Sequence, residues 1–411
     1  MSVLGRQGFQ ATRRVDIRPP LTGRGCAEWS GPVPLRLFVI PPSAMVTDHL
    51  PHGDGLVAWA FIRELAHRGH VLHVAAGSVD VRQELPATLA LHRLGDGGAA
   101  GGLGRLRYMR RVRRLYSELA RSQAFDLVHQ LNPVDVGVSL ALADQPVGLV
   151  LGPYWPDWAP AGVGADRETS AAALRVKGIL RAAQQRRATS VLLSTPAAAA
   201  KLAAPGRRAP AVRELSAGID DDLWRPPLQE SPGQDVLFLA NLEVRKGIHV
   251  LLDAFGRLSS ELPGARLLVG GAGPEEEPVR RRLRESSALA RVELLGRVPH
   301  DRVAATMQAC DVYCLPSYGE PFGMTALEAM ACARPVVATN AGGLGHLVPD
   351  AGGVKVAPGD AAALAAALRD LLVDQGLRRA MGEHNRRIVE TRYAWGRVGD
   401  RLESVYRDAL T

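Results

Sequence analysis

Leu315–Gly343 reads LPSYGEPFGMTALEAMACARPVVATNAGG, and this stretch decides the fold. The apolar run Val312–Leu315 ends at a turn of Pro, Ser and Gly that carries Glu320. The spacing then predicts a helix starting near Gly323 and holding Glu328, and a second apolar run follows at Val336–Ala338. Strand, turn and helix in this order put the free N–H groups of Gly323, Met324 and Thr325 beyond the carboxyl end of a strand. An open parallel sheet binds its ligands there, and a helix N-terminus at that place suits an anion such as a diphosphate.

Two more elements have the same layout. Asn241-Leu-Glu-Val-Arg-Lys246-Gly247 follows the apolar strand Val236–Ala240. A lysine at a strand end, just before a glycine and a helix start, is placed to neutralise a phosphate; the plainer alternative is a surface pair, Arg245 and Lys246. Val269-Gly-Gly-Ala-Gly-Pro274 also follows a strand and permits close backbone approach, but its glycines do not form the dinucleotide fingerprint. Glu320 and Glu328 stand eight residues apart, one in the turn and one in the helix. Either alone reads as a solvated charge; together they can each accept hydrogen bonds from vicinal hydroxyls, as on ribose and hexose.

Outward from this core, strands and helices alternate over most of the chain. Leu35–Ile40, Val71–Ala76, Phe125–His129, Val147–Leu151 and Ser190–Leu193 read as strands of a first sheet. Val236–Ala240, Arg266–Gly270, Val292–Leu295, Val312–Leu315 and Val336–Ala338 read as strands of a second. The expected architecture is α/β, with two tandem Rossmann-like domains. Residues 1–33 lack hydrophobic periodicity and read as a disordered extension. Residues 34–215 form the first domain, 216–234 a Pro- and Gly-containing linker and 235–394 the second domain. Residues 395–411 form an amphipathic helix.

The C-terminal half resembles the family 4 retaining glycosyltransferases of the GT-B fold. The resemblance rests on Lys246-Gly247, Gly270–Gly273, Leu295-Gly296, Pro316-Ser317, the Glu320–Glu328 segment with its continuation to Ala331, Pro335–Ala338 and Gly342-Gly343. These cover about residues 236–345. In the N-terminal half the similarity is looser: the 53–55 glycine loop, Arg68-Gly69-His70 and Asp126–His129. The resemblance implies two domains facing a cleft, with the C-terminal helix crossing back to the first. It also implies that a nucleotide-diphosphate sugar, UDP- or GDP-linked, is the donor of a hexosyl group to an acceptor hydroxyl. Lys246 would hold the diphosphate, and Glu320 the sugar hydroxyls, with Phe322, Gly323, Met324 and Thr325 lining sugar and phosphate. Glu328 would hold the ribose, the backbone at Arg297-Val298 would meet the base, and Gly53 and Gly55 would approach the diphosphate from the other domain. His129 would stand near the transferred sugar. Glu320, Lys246 and His129 are thus the expected catalytic residues. The family commonly has an arginine where this chain has Asn241, with Arg245 as the neighbouring cation. Other GT-B chemistry, such as a phosphorylase or nucleotide-sugar epimerase, and a non-catalytic nucleotide-sugar-binding protein are the alternatives.

Composition bounds the rest. In 411 residues, 46% are hydrophobic and 22% charged, enough for two cores, and the net charge of +8 suits anionic partners. No zinc-finger spacing or RNA-recognition signature appears, so a nucleic-acid partner is not expected. Asp220-Asp221-Asp222 has the DxD pattern of metal-dependent transferases but stands in the linker, so turn or cap chemistry is expected and neither a metal nor another cofactor. Four cysteines without metal-ligand spacing, and no run long enough to span a membrane, point to a cytoplasmic enzyme. Arg105, Arg107, Arg110, Arg111, Arg113 and Arg114 form a basic helix with an apolar stripe, read as a solvated face or as a peripheral contact with an anionic membrane and a lipid-linked acceptor.

Overall fold

The computed structural model describes residues 33–42, 45–50, 53–95, 102–156, 171–204, 209–228 and 233–411. Apart from Val33, the stretch read as an extension lies outside the described residues.

The N-terminal half contains β1 (Arg36–Ile40), β2 (Val46–Thr47), α1 (Gly53–His67), β3 (Val71–Ala76), β4 (Val79–Asp80), β5 (Leu89–Arg93), α2 (Gly102–Leu119), β6 (Leu127–Gln130), β7 (Gly148–Tyr154), α3 (Ala171–Arg187), β8 (Ser190–Leu193) and β9 (Ala211–Glu214). Seven strands form one parallel sheet in the order β5-β3-β1-β6-β7-β8-β9, and β2 pairs with β4 apart from it.

The C-terminal half contains β10 (Asp235–Leu239), α4 (Ile248–Glu261), β11 (Arg266–Gly270), α5 (Glu276–Glu285), β12 (Val292–Gly296), α6 (His300–Ala309), β13 (Val312–Leu315), α7 (Met324–Ala331), β14 (Val336–Thr339), α8 (Leu344–Leu347), β15 (Gly353–Val356), α9 (Ala361–Val373), α10 (Gln375–Ile388) and α11 (Trp395–Leu410). Its six strands are parallel, in the order β12-β11-β10-β13-β14-β15.

Counted within each sheet, the second runs 3-2-1-4-5-6 and the first runs the same with a seventh strand added, the doubly wound arrangement whose strand order reverses beside the first strand. The switch points fall between β1 and β6 and between β10 and β13. The central strands explain this placement. VLFL in β10 and VYCL in β13 are buried throughout, as strands must be when helices cover both faces. α4 then supplies one covering face, with Ile248, Leu251, Leu252, Phe255 and Leu258 buried at helical spacing. Asp360 and Asp374 cap α9 and α10 by accepting the amides of Ala363 and Leu377.

Two connections join the halves. Ile219 bridges Ala394, the Ile219 amide donating to the Tyr393 carbonyl at 2.8 Å. A short π-helical turn, Val389–Tyr393, then leads into α11. α11 returns to the N-terminal sheet, burying Val398, Leu402, Val405 and Tyr406 among its side chains. Arg68 clamps it through Asp400 at 3.0 Å and Glu403 at 3.3 Å, and His70 Nε2 meets Glu403 at 3.2 Å. The expected crossing-back of the C-terminal helix is therefore what the chain does.

Asp220 accepts the Leu223 amide at 3.1 Å, so the Asp220–Asp222 triplet begins with turn-capping chemistry, as its place in the linker implied. The Gly53-Asp54-Gly55 segment differs from expectation: it is the first turn of α1 rather than a loop before it. Asp54 accepts the Asn132 side-chain amide at 2.8 Å, which ties the α1 start to the end of β6.

Candidate functional site

The C-terminal switch point brings together residues from two strand ends. β10 ends at Leu239, and its loop carries Lys246; β13 ends at Leu315, and its loop carries Glu320. Lys246 Nζ donates to Glu320 Oε2 at 2.5 Å, with Lys246 9% and Glu320 6% exposed. Such a buried ion pair needs rigid loops to hold it. A Cβ at Gly247 would lie 1.9 Å from the Pro316 carbonyl oxygen, and its backbone adopts φ +76°, so only glycine lets the lysine loop press against the glutamate loop. The Ser317 hydroxyl donates to the Arg245 carbonyl at 2.9 Å, and the Tyr318 amide donates to the same oxygen at 2.9 Å. The Glu320 carbonyl accepts the Gly343 amide at 2.6 Å. Lys246 and Glu320 therefore reach the crevice as one preorganised unit. An ammonium has three donors, so Lys246 can keep Glu320 and still hold an incoming phosphate oxygen.

α7 starts at Met324 after Gly323 in the left-handed conformation, as the sequence implied. The helix start is fixed from below. Tyr313 of β13 donates to the Leu239 carbonyl at 3.1 Å and lies 2.6 Å from the Thr325 hydroxyl. Glu328 stands in the second turn of α7. Its carboxylate makes no hydrogen bond or ion pair among the described residues, and burial pushes its pKa up to about 8. The folded value exceeds the unfolded one of 4.5. Ionising Glu328 therefore costs the fold stability as pH rises from 4.5 toward 8, and ligand hydroxyls donating to the carboxylate would offset that cost.

The remaining predicted residues fall around this centre. Phe322 is buried and meets Trp155, at the end of β7, edge to face with centroids 5.4 Å apart, so the two halves touch at the crevice. Val298 follows β12 and packs beside Gly270. Arg245 is held by Glu243 at 2.5 Å, and exposed Asn241 donates to the same carboxylate group at 3.4 Å. The glycine cluster after β11 packs closely: a Cβ at Gly271 would lie 1.8 Å from the Ala240 carbonyl oxygen, so this loop lies directly on the end of β10.

His129 must be corrected. It does not face the crevice; it is 0% exposed between the sheet and α11. Nε2 lies 2.9 Å from the Gly152 carbonyl and Nδ1 2.6 Å from the Tyr406 hydroxyl. A carbonyl can only accept, so Nε2 carries the proton and Tyr406 donates to Nδ1. Burial lowers its pKa to about 4, and the ring is neutral. Leu127 and His129 alternate with Val128, so a position at the carboxyl end of the strand was legible while the face it occupied was not. The residue that sequence reasoning missed is Trp155, which lies beyond the predicted end of its strand.

Residues 220–388 match the family model of the group 1 glycosyl transferases. The group 1 match thus contains Lys246, Glu320 and Glu328 but not the N-terminal sheet. Among curated proteins, the chain is 34% identical over 194 residues to the glycogen synthase of Mycobacterium tuberculosis, covering 46% of each chain. It is 37% identical over 190 residues to the phosphatidyl-myo-inositol mannosyltransferase of Mycobacterium leprae, covering 44% of this chain and 48% of that one. The chain spans about half the length of the curated relatives it matches. Solved structures agree over far more of the fold. Sucrose-phosphate synthase from Thermosynechococcus elongatus superposes with a TM-score of 0.70 at 23% identity, over 91% of this chain and 98% of that one. HepE from Anabaena, in complex with UDP and glucose, does so with 0.65 at 20% identity, over 91% and 99%. The fold is GT-B, with two Rossmann-like sheets.

Proposed function

We propose that this chain is a retaining, metal-independent hexosyltransferase that takes its sugar from a UDP- or GDP-linked donor and passes it to an acceptor hydroxyl in the cytoplasm. The observation that carries this reading is the Lys246–Glu320 pair at the β10/β13 switch point, beside the α7 start and an unpartnered Glu328. The glycosyl transferases that the chain resembles support the sugar-transfer part of this reading.

Lys246 and the first amides of α7 take the diphosphate, Glu320 the sugar hydroxyls and Glu328 the ribose. Val298 borders the base. In the transfer, the bond from the anomeric carbon to the diphosphate oxygen breaks, a bond to the acceptor oxygen forms on the same face, and the departing phosphate takes the acceptor proton. Lys246 and the helix dipole stabilise the charge that develops on the leaving group. Glu320, engaged with Lys246, serves as a positioning acceptor and not as a nucleophile. A peripheral contact with an anionic membrane belongs to the same proposal. Arg113 and Arg114 of α2 pair with Asp144 and Glu118, whereas Leu103 and Leu106 are exposed beside exposed Arg107 and Arg110.

Incubation with a panel of UDP-, GDP- and dTDP-sugars, scored by nucleotide release, tests the reading. Release that requires an acceptor, giving a product with the donor's anomeric configuration by NMR coupling constants, is expected. Turnover without an acceptor would point to phosphorylase- or epimerase-like chemistry, and binding without product to a non-catalytic protein.

A further inference from the structure

A cavity of about 370 Å³ lies at the opposite edge of the C-terminal sheet from the crevice. It is lined by Pro226 and Pro227 of the linker, by Asp311 and the Ala333–Pro335 turn at the amino ends of β13 and β14, and by side chains of α10. The four residues of β13 separate it from the Pro316–Glu320 loop by about 13 Å.

Its walls are arginine-rich, and the arginines are not equally neutralised. Arg379 pairs with Glu383 at 3.0 Å and Arg386 with Glu390 at 2.6 Å. Arg334, Arg378 and Arg387 form no ion pair among the described residues. Arg334 is the central one, at 7% exposure. Its Nε and Nη1 donate to the carbonyls of Cys332 and Cys310 at 3.0 and 2.9 Å, which fixes the guanidinium plane. Its Nη2 has no partner among the described residues. Arg378 likewise spends Nη1 on the carbonyls of Leu371 and Leu372. The guanidinium of Arg387 makes no hydrogen bond among the described residues. Two acids line this wall: Glu383, paired with Arg379, and Asp311, which accepts the Asp235 amide at 2.8 Å and attracts Arg378 and Arg334 through space, one carboxylate facing three arginines.

Arg334 is a buried guanidinium whose hydrogen bonds go to carbonyls, and such a charge is costly to bury without anions nearby. Half-buried Arg378 and exposed Arg387 border the same concave space, whose size falls in the range of small-ligand sites. The planar fork of arginine matches phosphate oxygens in geometry.

We propose that this cavity is a second anion site, distinct from the donor crevice, that takes a small phosphate-bearing molecule with its phosphate against Arg334, Arg378 and Arg387.

The test titrates the full chain with inorganic phosphate and with glycerol 3-phosphate at constant ionic strength, by calorimetry and by thermal shift. Wild type is set against Arg334→Gln, Arg387→Gln and Lys246→Ala. Arg334→Gln should weaken binding at least about tenfold, the usual effect of losing a charge-assisted hydrogen bond. Arg387→Gln, at an exposed position that leaves the fold intact, should weaken it about three- to tenfold. Lys246→Ala removes only what the donor crevice contributes to phosphate binding and should leave a component that Arg334→Gln and Arg387→Gln weaken. Near-UV circular dichroism checks that Arg334→Gln is folded; if it is not, Arg387→Gln decides alone. Absence of phosphate binding in wild type would overturn the proposal, as would binding abolished by Lys246→Ala and kept by Arg387→Gln. Titration with UDP reads the donor crevice separately, so failure there is distinguishable from failure here.

Discussion

The two sheets share a strand order and a switch point but put their polar residues to opposite uses. At the C-terminal switch, Lys246 and Glu320 project from two strand ends and Glu328 stands without a partner. At the N-terminal switch, the polar groups are consumed by the fold: Asn132 binds Asp54, and His129 joins β6 to the Gly152 carbonyl and to Tyr406 of α11. The same topology thus offers two crevices and equips one with charge. Topology locates a crevice; chemistry depends on whether the side chains at its mouth remain uncommitted after packing.

Substitutions at the two switch points should separate these roles. Lys246→Ala removes a fixed cation from the crevice and should lower the transfer rate by about 10²–10³ per folded molecule, besides a loss of stability from the Glu320 carboxylate left buried without its partner; stopped assays of nucleotide release check this. His129→Ala should act on stability alone. It leaves the Tyr406 hydroxyl and the Gly152 carbonyl unpaired and opens a cavity, costing about 2–4 kcal/mol in denaturant unfolding. Turnover per folded molecule should stay near wild type. A strong loss of kcat without loss of stability would return His129 to the reacting centre.

The halves should also differ in acid. Burial holds both His129 and His73, on strands of the N-terminal sheet, at pKa values of about 4, below the ordinary 6.5. Depressed values mean that the unfolded chain binds more protons between pH 6.5 and 4. The stability that these two rings contribute should therefore be fully present above pH 6.5 and fall toward pH 4, by up to roughly two protons' worth of slope, against an opposite contribution of one proton from Glu328 that Glu328→Gln removes. Unfolding followed by the near-ultraviolet signal across that range measures it, and a flat profile would contradict neutral burial of these rings. The smallest effect is expected of Asn241→Arg. Glu243 stands beside both Asn241 and Arg245, so a new arginine there competes for that carboxylate, and donor affinity should stay within about tenfold of wild type.

The C-terminal crevice was legible in the sequence because its strands are unbroken apolar runs and its loops have marked residue types at fixed spacing. Three things were not. β5, β9 and β15 lie at sheet edges, are only partly buried and lack such runs, as in AVRE for β9. The Lys246–Glu320 bond joins loops 74 residues apart, which no local spacing reports. The face taken by His129 depends on α11, whose Tyr406 is 277 residues away. Local periodicity found the elements, while long-range pairing decided which polar residues stayed available.

The most direct measurement is nucleotide affinity as a function of pH in wild type and Glu328→Gln. The Glu328 carboxyl, raised to about 8, is largely protonated at neutral pH in the free protein, and ribose hydroxyls bind its ionised form. Binding of UDP or GDP by the full chain should therefore tighten roughly tenfold between pH 7 and 9, with release of a proton. In Glu328→Gln it should be weaker by about 10- to 150-fold at the upper end and flat across the range. Affinity that is independent of both pH and Glu328, or no nucleoside diphosphate binding at all, would contradict the assignment of the donor to the C-terminal crevice.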